Sequence, residues 1–200
     1  MKLYSNQASG NCYKIRLVAH QLGLPCEIHE MDLVGGDCRT AEYRALNPFA
    51  KTPAVVLDDG TLLCESNAIM LYLAQGTDLL PTDRLELAFV HQWLFWEQYS
   101  HEPVIAVARW SYHYVKNTAE TDPRLPDLWE KGKGVLKMMD DHLAKNDFFA
   151  AGRYTIADIA LFAYTHVAEE GNFDLSGYPN VNAWIERIKK QPNWQPMDKI

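Results

Sequence analysis

Residues 47–66 read NPFAKTPAVVLDDGTLLCES, and the stretch specifies its own conformation almost residue by residue. Asn47 to Thr52 is a loop, and Pro53 stands at the first position of a strand, where a missing amide donor is tolerated. Pro53–Leu57 is the apolar strand that follows. Asp58-Asp59-Gly60 is a turn whose glycine takes positive φ before Thr61–Cys64 pairs back, which makes a hairpin. Ser66 then caps a helix through Ala74, its hydroxyl accepting from orphan amides of the first turn, and Gly76 stands at the exit.

Upstream, Lys2–Ser5 predicts a strand, Cys12, Ile15, Ala19 and Leu22 recur at helical spacing until Gly23, and Cys26–Ile28 predicts a second strand. The order is βαβ, a linker, then ββα. Downstream of Pro81 the strand signals vanish, and helical runs are separated by punctuation at Thr121–Pro126, Asn146–Tyr154 and Gly171–Pro179. Thr155-Ile156-Ala157-Asp158 fits a capping box, with Tyr154 and Ile159 placed for a hydrophobic staple. Pro103 kinks or ends the run that begins at Arg84. The reading is an α/β unit over residues 1–77 and an all-helical unit over 83–200.

The 200 residues are 48% hydrophobic and 22% charged, enough for a packed core without a disulfide or metal staple. A net charge of −7 with no basic stripe argues against a nucleic-acid partner. No uncharged apolar stretch approaches the ~18 residues of a membrane span, and the first ten residues lack the apolar run of a signal peptide. Four cysteines, all in the first third and without metal-site spacing, are expected to be thiols in a reducing, cytoplasmic compartment. The seven histidines are scattered and predict no metal site. Gly35-Gly36-Asp37 lacks the Lys-Ser/Thr of a phosphate cradle. All six tryptophans lie from Trp93 onward, which suggests two different cores.

Three places could carry chemistry. Ser9-Gly10-Asn11-Cys12 joins a strand to a helix, where unpaired amides favour an anion. A donor at Ser9 or Asn11, with the helix's positive end, would favour a bound thiolate. Lowering a thiol pKa by two units needs about 2.7 kcal/mol, within reach of one donor plus a dipole. The ordinary alternative is that Ser9 only caps the helix. Thr52-Pro53 would turn backbone groups outward if cis, although only about 5–6% of X-Pro bonds are. Glu65-Ser66 could hold an amino-acid head group, with ordinary capping again the alternative.

Taken together, the Ser9 turn, the Asn47-Pro48 to Lys51-Thr52-Pro53-Ala54 segment, Glu65-Ser66-Asn67-Ala68-Ile69 with Tyr72-Leu73, and the Thr155 to Asp158 box resemble the soluble glutathione transferase family over essentially the whole chain. The resemblance implies a thioredoxin-like N-terminal domain, a helical C-terminal domain, and glutathione as co-substrate for conjugation to a small hydrophobic electrophile, a detoxification chemistry. It implies that Thr52, before a cis Pro53, pairs with the cysteinyl part of glutathione. Glu65 and Ser66 would hold the γ-glutamyl end, with Lys51, and more weakly Arg39, near the glycyl carboxylate. Ser9 occupies the position of serine or cysteine in such enzymes, and is similar to serine-type bacterial members near the theta, beta and nu classes, while Asn11 resembles the asparagine of nu-type members.

Tyr4 falls too early for the activating role and is expected to pack in the sheet. Cys12, three residues after Ser9, completes a C-x-x-C whose first cysteine is serine. It is either a thiol for mixed disulfides or a small residue on the buried helix face. Trp96, Tyr99, Arg109, Trp110 and Tyr114 are the candidates for an apolar pocket. A homodimer is expected from the resemblance and from the run Phe89, Trp93, Phe95 and Trp96. Two other functions use the same fold: a glutathione-dependent disulfide reductase or peroxidase, and a non-catalytic binding or regulatory protein.

Overall fold

A computed structural model describes residues 1–200, which divide into one compact unit of Met1–Thr77 with Pro192–Ile200 and another of Asp78–Gln191. In the first unit, β1 (Lys2–Ser5), β2 (Glu27–Glu30), β3 (Ala54–Val56) and β4 (Leu62–Cys64) form a sheet in the order β2-β1-β3-β4. β1 runs parallel to β2 and antiparallel to β3, with Leu3 opposite Val55, and β3 is antiparallel to β4. The parallel pair requires a crossover, which α1 (Gly10–Gln21) supplies.

Alternation along β1 assigns the two sheet faces. Ser5 accepts from Arg16 of α1 on one side, whereas the Tyr4 ring packs at a tilt against His29 and against Tyr43 of α2 (Ala41–Leu46) on the other. α3 (Ser66–Ala74) packs against α1. A four-stranded mixed sheet with helices on both faces in this order is thioredoxin-like. Tyr4 is a sheet-face residue, as its place in the strand predicts.

Four local differences from the sequence reading have physical causes. The linker holds α2, whose single cap is the Thr40 hydroxyl accepting from the Tyr43 amide, and six residues are too few to show a helical period. The second strand lies at Glu27–Glu30, not Cys26–Ile28. It is an edge strand exposed throughout, so no alternation marks it. Glu65, not Ser66, is the cap of α3, and Ser66 is its first residue. The last nine residues, which the sequence reading assigns to the helical unit, pack with the first unit and bring Trp194 with them.

The second unit is helical throughout: α4 (Arg84–Trp96), α5 (Glu102–Arg109), α6 (Leu125–Leu143), α7 (Ile156–Thr165) and α8 (Pro179–Ile188). Wide π-type turns at Glu97–His101 and Trp110–Tyr114 flank α5. The first of them ends just before Pro103, which has no amide to continue the α-helical ladder. Every residue of α7 is buried, so it is the axis around which the unit packs. The predicted capping box opens it. Asp158 accepts from the amides of Thr155 (3.0 Å) and Phe149 (3.1 Å) and from the Trp184 indole (3.0 Å). No helix is long and apolar enough to cross a membrane.

Candidate functional site

The turn after β1 delivers Ser9 to the start of α1 in extended conformation, and its hydroxyl accepts from the Cys12 amide at 3.3 Å. A hydroxyl that accepts in this way still carries its own hydrogen, which can be donated to an anion at the positive end of the helix. Capping and thiolate binding are therefore compatible roles for Ser9. Cys12 is fully buried and its Sγ accepts from the Asn6 amide at 3.3 Å, which puts it behind the turn on the helix's inner face. All four cysteines are free thiols, and burial pushes those of Cys26, Cys38 and Cys64 up.

Asn47, 1% exposed, organises the loop that leads to Pro53. Its Nδ2 donates to the Lys51 carbonyl (2.8 Å), and its Oδ1 accepts from the Phe49 amide (3.0 Å) and the Cys64 thiol (3.2 Å). The Tyr43 hydroxyl donates to the same Lys51 carbonyl at 2.7 Å, and burial pushes its pKa up to about 12, so it remains a donor. Ala50 takes a positive φ, and the Thr52–Pro53 peptide is cis. Lys51 is exposed at the surface of this loop, and Arg39 is exposed with its guanidinium lying over Gly36.

Glu65 sits at φ 67°, ψ 113°, a conformation side chains seldom adopt and one that commonly marks a ligand clamp. Its carboxylate makes no cap bond and is exposed. Ser66, 4% exposed, donates from Oγ to Asn11 Oδ1 at 3.2 Å and accepts from Lys14 Nζ at 3.3 Å. The same ammonium donates to Asn67 Oδ1 at 3.3 Å. Asn11 and Ser66, far apart in sequence, are thus directly bonded. Lys14 and Asn67 complete the group. The sequence reading did not single out Lys14, although its position one turn after Asn11 and beside the Cys12/Ile15 stripe is the signal that could have found it.

In the helical unit, Arg109, Trp110 and Tyr114 come together. Trp110 stacks on Tyr114 with centroids 5.6 Å apart, and the Arg109 guanidinium donates to Glu170 (2.7 Å) and to the Tyr114 hydroxyl (2.8 Å). Arg109 is therefore a buried support for Tyr114. Trp96 packs edge-on against Trp93 at the end of α4, and Tyr99 stands 87% exposed on the π-type turn beyond it.

Residues 8–75 match the family described as glutathione S-transferase, N-terminal domain, and residues 106–192 match glutathione S-transferase, C-terminal domain. The chain is 31% identical to glutathione S-transferase 3 of Zea mays, over 98% of its own length and 91% of that protein's. It is 30% identical to the disulfide-bond oxidoreductase YfcG of Escherichia coli, over 91% and 87%. A crystal structure of a glutathione S-transferase from Pseudomonas fluorescens superimposes with a TM-score of 0.95 at 46% identity, covering 98% of each chain.

Proposed function

Because the chain belongs to the glutathione S-transferase family and is a glutathione transferase enzyme, we propose that Ser9 ionises the thiol of bound glutathione for attack on a small hydrophobic electrophile. In this reading the γ-glutamyl end lies at Glu65 and Ser66. The cysteinyl backbone pairs with Thr52 beside Pro53, and the glycyl carboxylate meets Lys51, with Arg39 a second cation within the same domain. Asn11, bonded to Ser66, ties the head-group subsite to the turn that holds the sulfur.

The observation that carries the proposal is the Ser9 hydroxyl, fixed by the Cys12 amide with its hydrogen still to give. A thiolate held by that hydrogen and by the α1 N-terminus forms the new C–S bond as the electrophile's leaving group departs with the bond electrons. The thiol proton goes to solvent before the attack. The gain comes from thiolate population and proximity. Trp96, Tyr99, Trp110 and Tyr114 offer the apolar surface for the electrophile, and Arg109 supports it. The enzyme is proposed to be a cytoplasmic homodimer of the serine type, with no nucleic-acid or membrane partner.

Ultraviolet thiolate absorbance of the glutathione complex against pH tests this reading. Wild type should titrate at least about one unit below free glutathione, a differential stabilisation of about 1.4 kcal/mol. The Ser9→Ala/Asn11→Ala double variant should titrate near the free value. A complex that never ionises its thiol would favour the non-catalytic binding role. The relationship to a disulfide-bond oxidoreductase favours a second reading, in which the same thiolate attacks a disulfide sulfur and displaces a thiolate. Turnover with a small disulfide against turnover with an aryl halide separates the two.

A further inference from the structure

The turn carrying Ser9 is held from behind by residues nearly two hundred positions away. Arg16 is 3% exposed, and its guanidinium donates to Ser5 Oγ (2.7 Å), the Asn6 carbonyl (3.0 Å), the Gln7 carbonyl (2.9 Å) and the Met197 carbonyl (3.4 Å). Gln7 Nε2 donates to the Met197 carbonyl (2.6 Å) and to an oxygen of Ile200 (3.1 Å). The Tyr13 hydroxyl donates to the Gln195 carbonyl at 2.6 Å. Three side chains of the turn and of α1 thereby grip the segment Gln195–Ile200. The Ser9 amide, in turn, donates to the Asn6 carbonyl at 3.1 Å, the same oxygen that Arg16 holds. One shared carbonyl separates the guanidinium from the residue proposed to meet the thiol.

We propose that Gln7 and Arg16 are positioning residues for the thiol chemistry, using Gln195–Ile200 as a clamp that fixes the Asn6–Ser9 turn and the aim of the Ser9 hydroxyl. The inference rests on the proposed role of Ser9. A hydrogen bond weakens steeply as its angle departs from linear, so a turn free to rock would donate poorly to a sulfur anion even with Ser9 intact. The grip is concentrated at the turn. At the other end of α1, Gln21 makes the same kind of bond, to the Pro192 carbonyl at 3.1 Å, which is a grip on the tail and not on the turn. Gln21 therefore serves as an internal control: its loss loosens the tail by a comparable bond and leaves the turn alone.

The experiment uses the full chain with Gln7→Leu, Arg16→Lys or Gln21→Leu. Two quantities are read: the thiolate titration of bound glutathione, and amide hydrogen exchange at Ala8 and Ser9 in the free protein. Gln7→Leu and Arg16→Lys should raise the titration midpoint by about half a pH unit or more, a roughly threefold loss of thiolate below the midpoint, with glutathione affinity held within about twofold. Exchange at Ala8 and Ser9 should quicken in both, while Gln21→Leu matches wild type in both readouts. Wild-type midpoints and exchange rates in all three variants would overturn the clamp, as would an equal shift in Gln21→Leu. Gln7 is exposed, so its variant carries the test alone if Arg16→Lys does not fold. If wild type fails to bind glutathione, the proposed function falls. The exchange rates then decide the clamp by themselves, faster in Gln7→Leu if it exists and unchanged if it does not.

Discussion

Asn47 holds four partners at once: the Lys51 carbonyl and the Tyr43 hydroxyl through Nδ2, and the Phe49 amide and the Cys64 thiol through Oδ1. Asn47→Leu keeps the branched shape and removes all four. Leaving buried polar groups unmet costs about 1–3 kcal/mol, and the loop carrying Lys51 and Thr52 is what gives way. Glutathione affinity by isothermal titration is expected to drop about tenfold; affinity within twofold of wild type would show that Tyr43 alone shapes the loop. Ser66→Ala should cost more than a neutral bond, since Oγ faces both the Lys14 ammonium and Asn11, a charge-assisted contact worth about 1.5–3 kcal/mol. Ser9 was legible in the sequence as a cap because helix starts have a local grammar, whereas Ser66 lies one position inside its helix. Lys14 was not, because a lysine inside a helix ordinarily reads as solvated, and its burial depends on α3 lying alongside.

At the scale of elements, α7 and its C-cap residue carry two titrating groups with opposite effects on stability. Burial pushes Asp158 up to about 7, against the bonds from Phe149, Trp184 and Thr155 that favour its anion, so the folded chain takes up a proton there. Its contribution is full below the unfolded value of 3.8 and is lost as pH rises through about 7. Burial brings His166, stacked on Phe162, down to about 4, so folding releases a proton there, and that contribution is present above 6.5 and lost as pH falls through about 4. Between about pH 4 and 6.5 the two slopes, each up to about 1.4 kcal/mol per pH unit, oppose one another. Urea unfolding over that range should therefore show Asp158→Asn gaining stability with rising pH relative to wild type, and His166→Gln losing it. Parallel pH dependences for all three proteins would refute the compensation. The capping box was visible in advance because four consecutive residues encode it. The π-type turns were not: each is a change of ladder that no local composition marks, apart from the proline that follows the first.

For the whole molecule, the division into an α/β half and a helical half was legible because hydrophobic period and punctuation change together near Pro81. The return of Pro192–Ile200 to the first unit was not, because it is made by backbone carbonyls, which every sequence possesses. The proposed homodimer rests on what the second unit leaves uncovered. Leu85 (63%), Phe89 (45%) and Phe95 (73%) are exposed along α4. Light scattering should give twice the chain mass for wild type and a single chain for Phe89→Glu/Phe95→Glu. A wild-type monomer at micromolar concentration would remove the dimer. The clamp has a further consequence during biosynthesis. A ribosome adds roughly 5–20 residues per second, so Ser9 is made some ~10–40 s before Gln195–Ile200 exists to hold its turn. On the proposed clamp, the turn is therefore made well before the segment that fixes it, and the aim of the Ser9 hydroxyl is set only once that segment has been added.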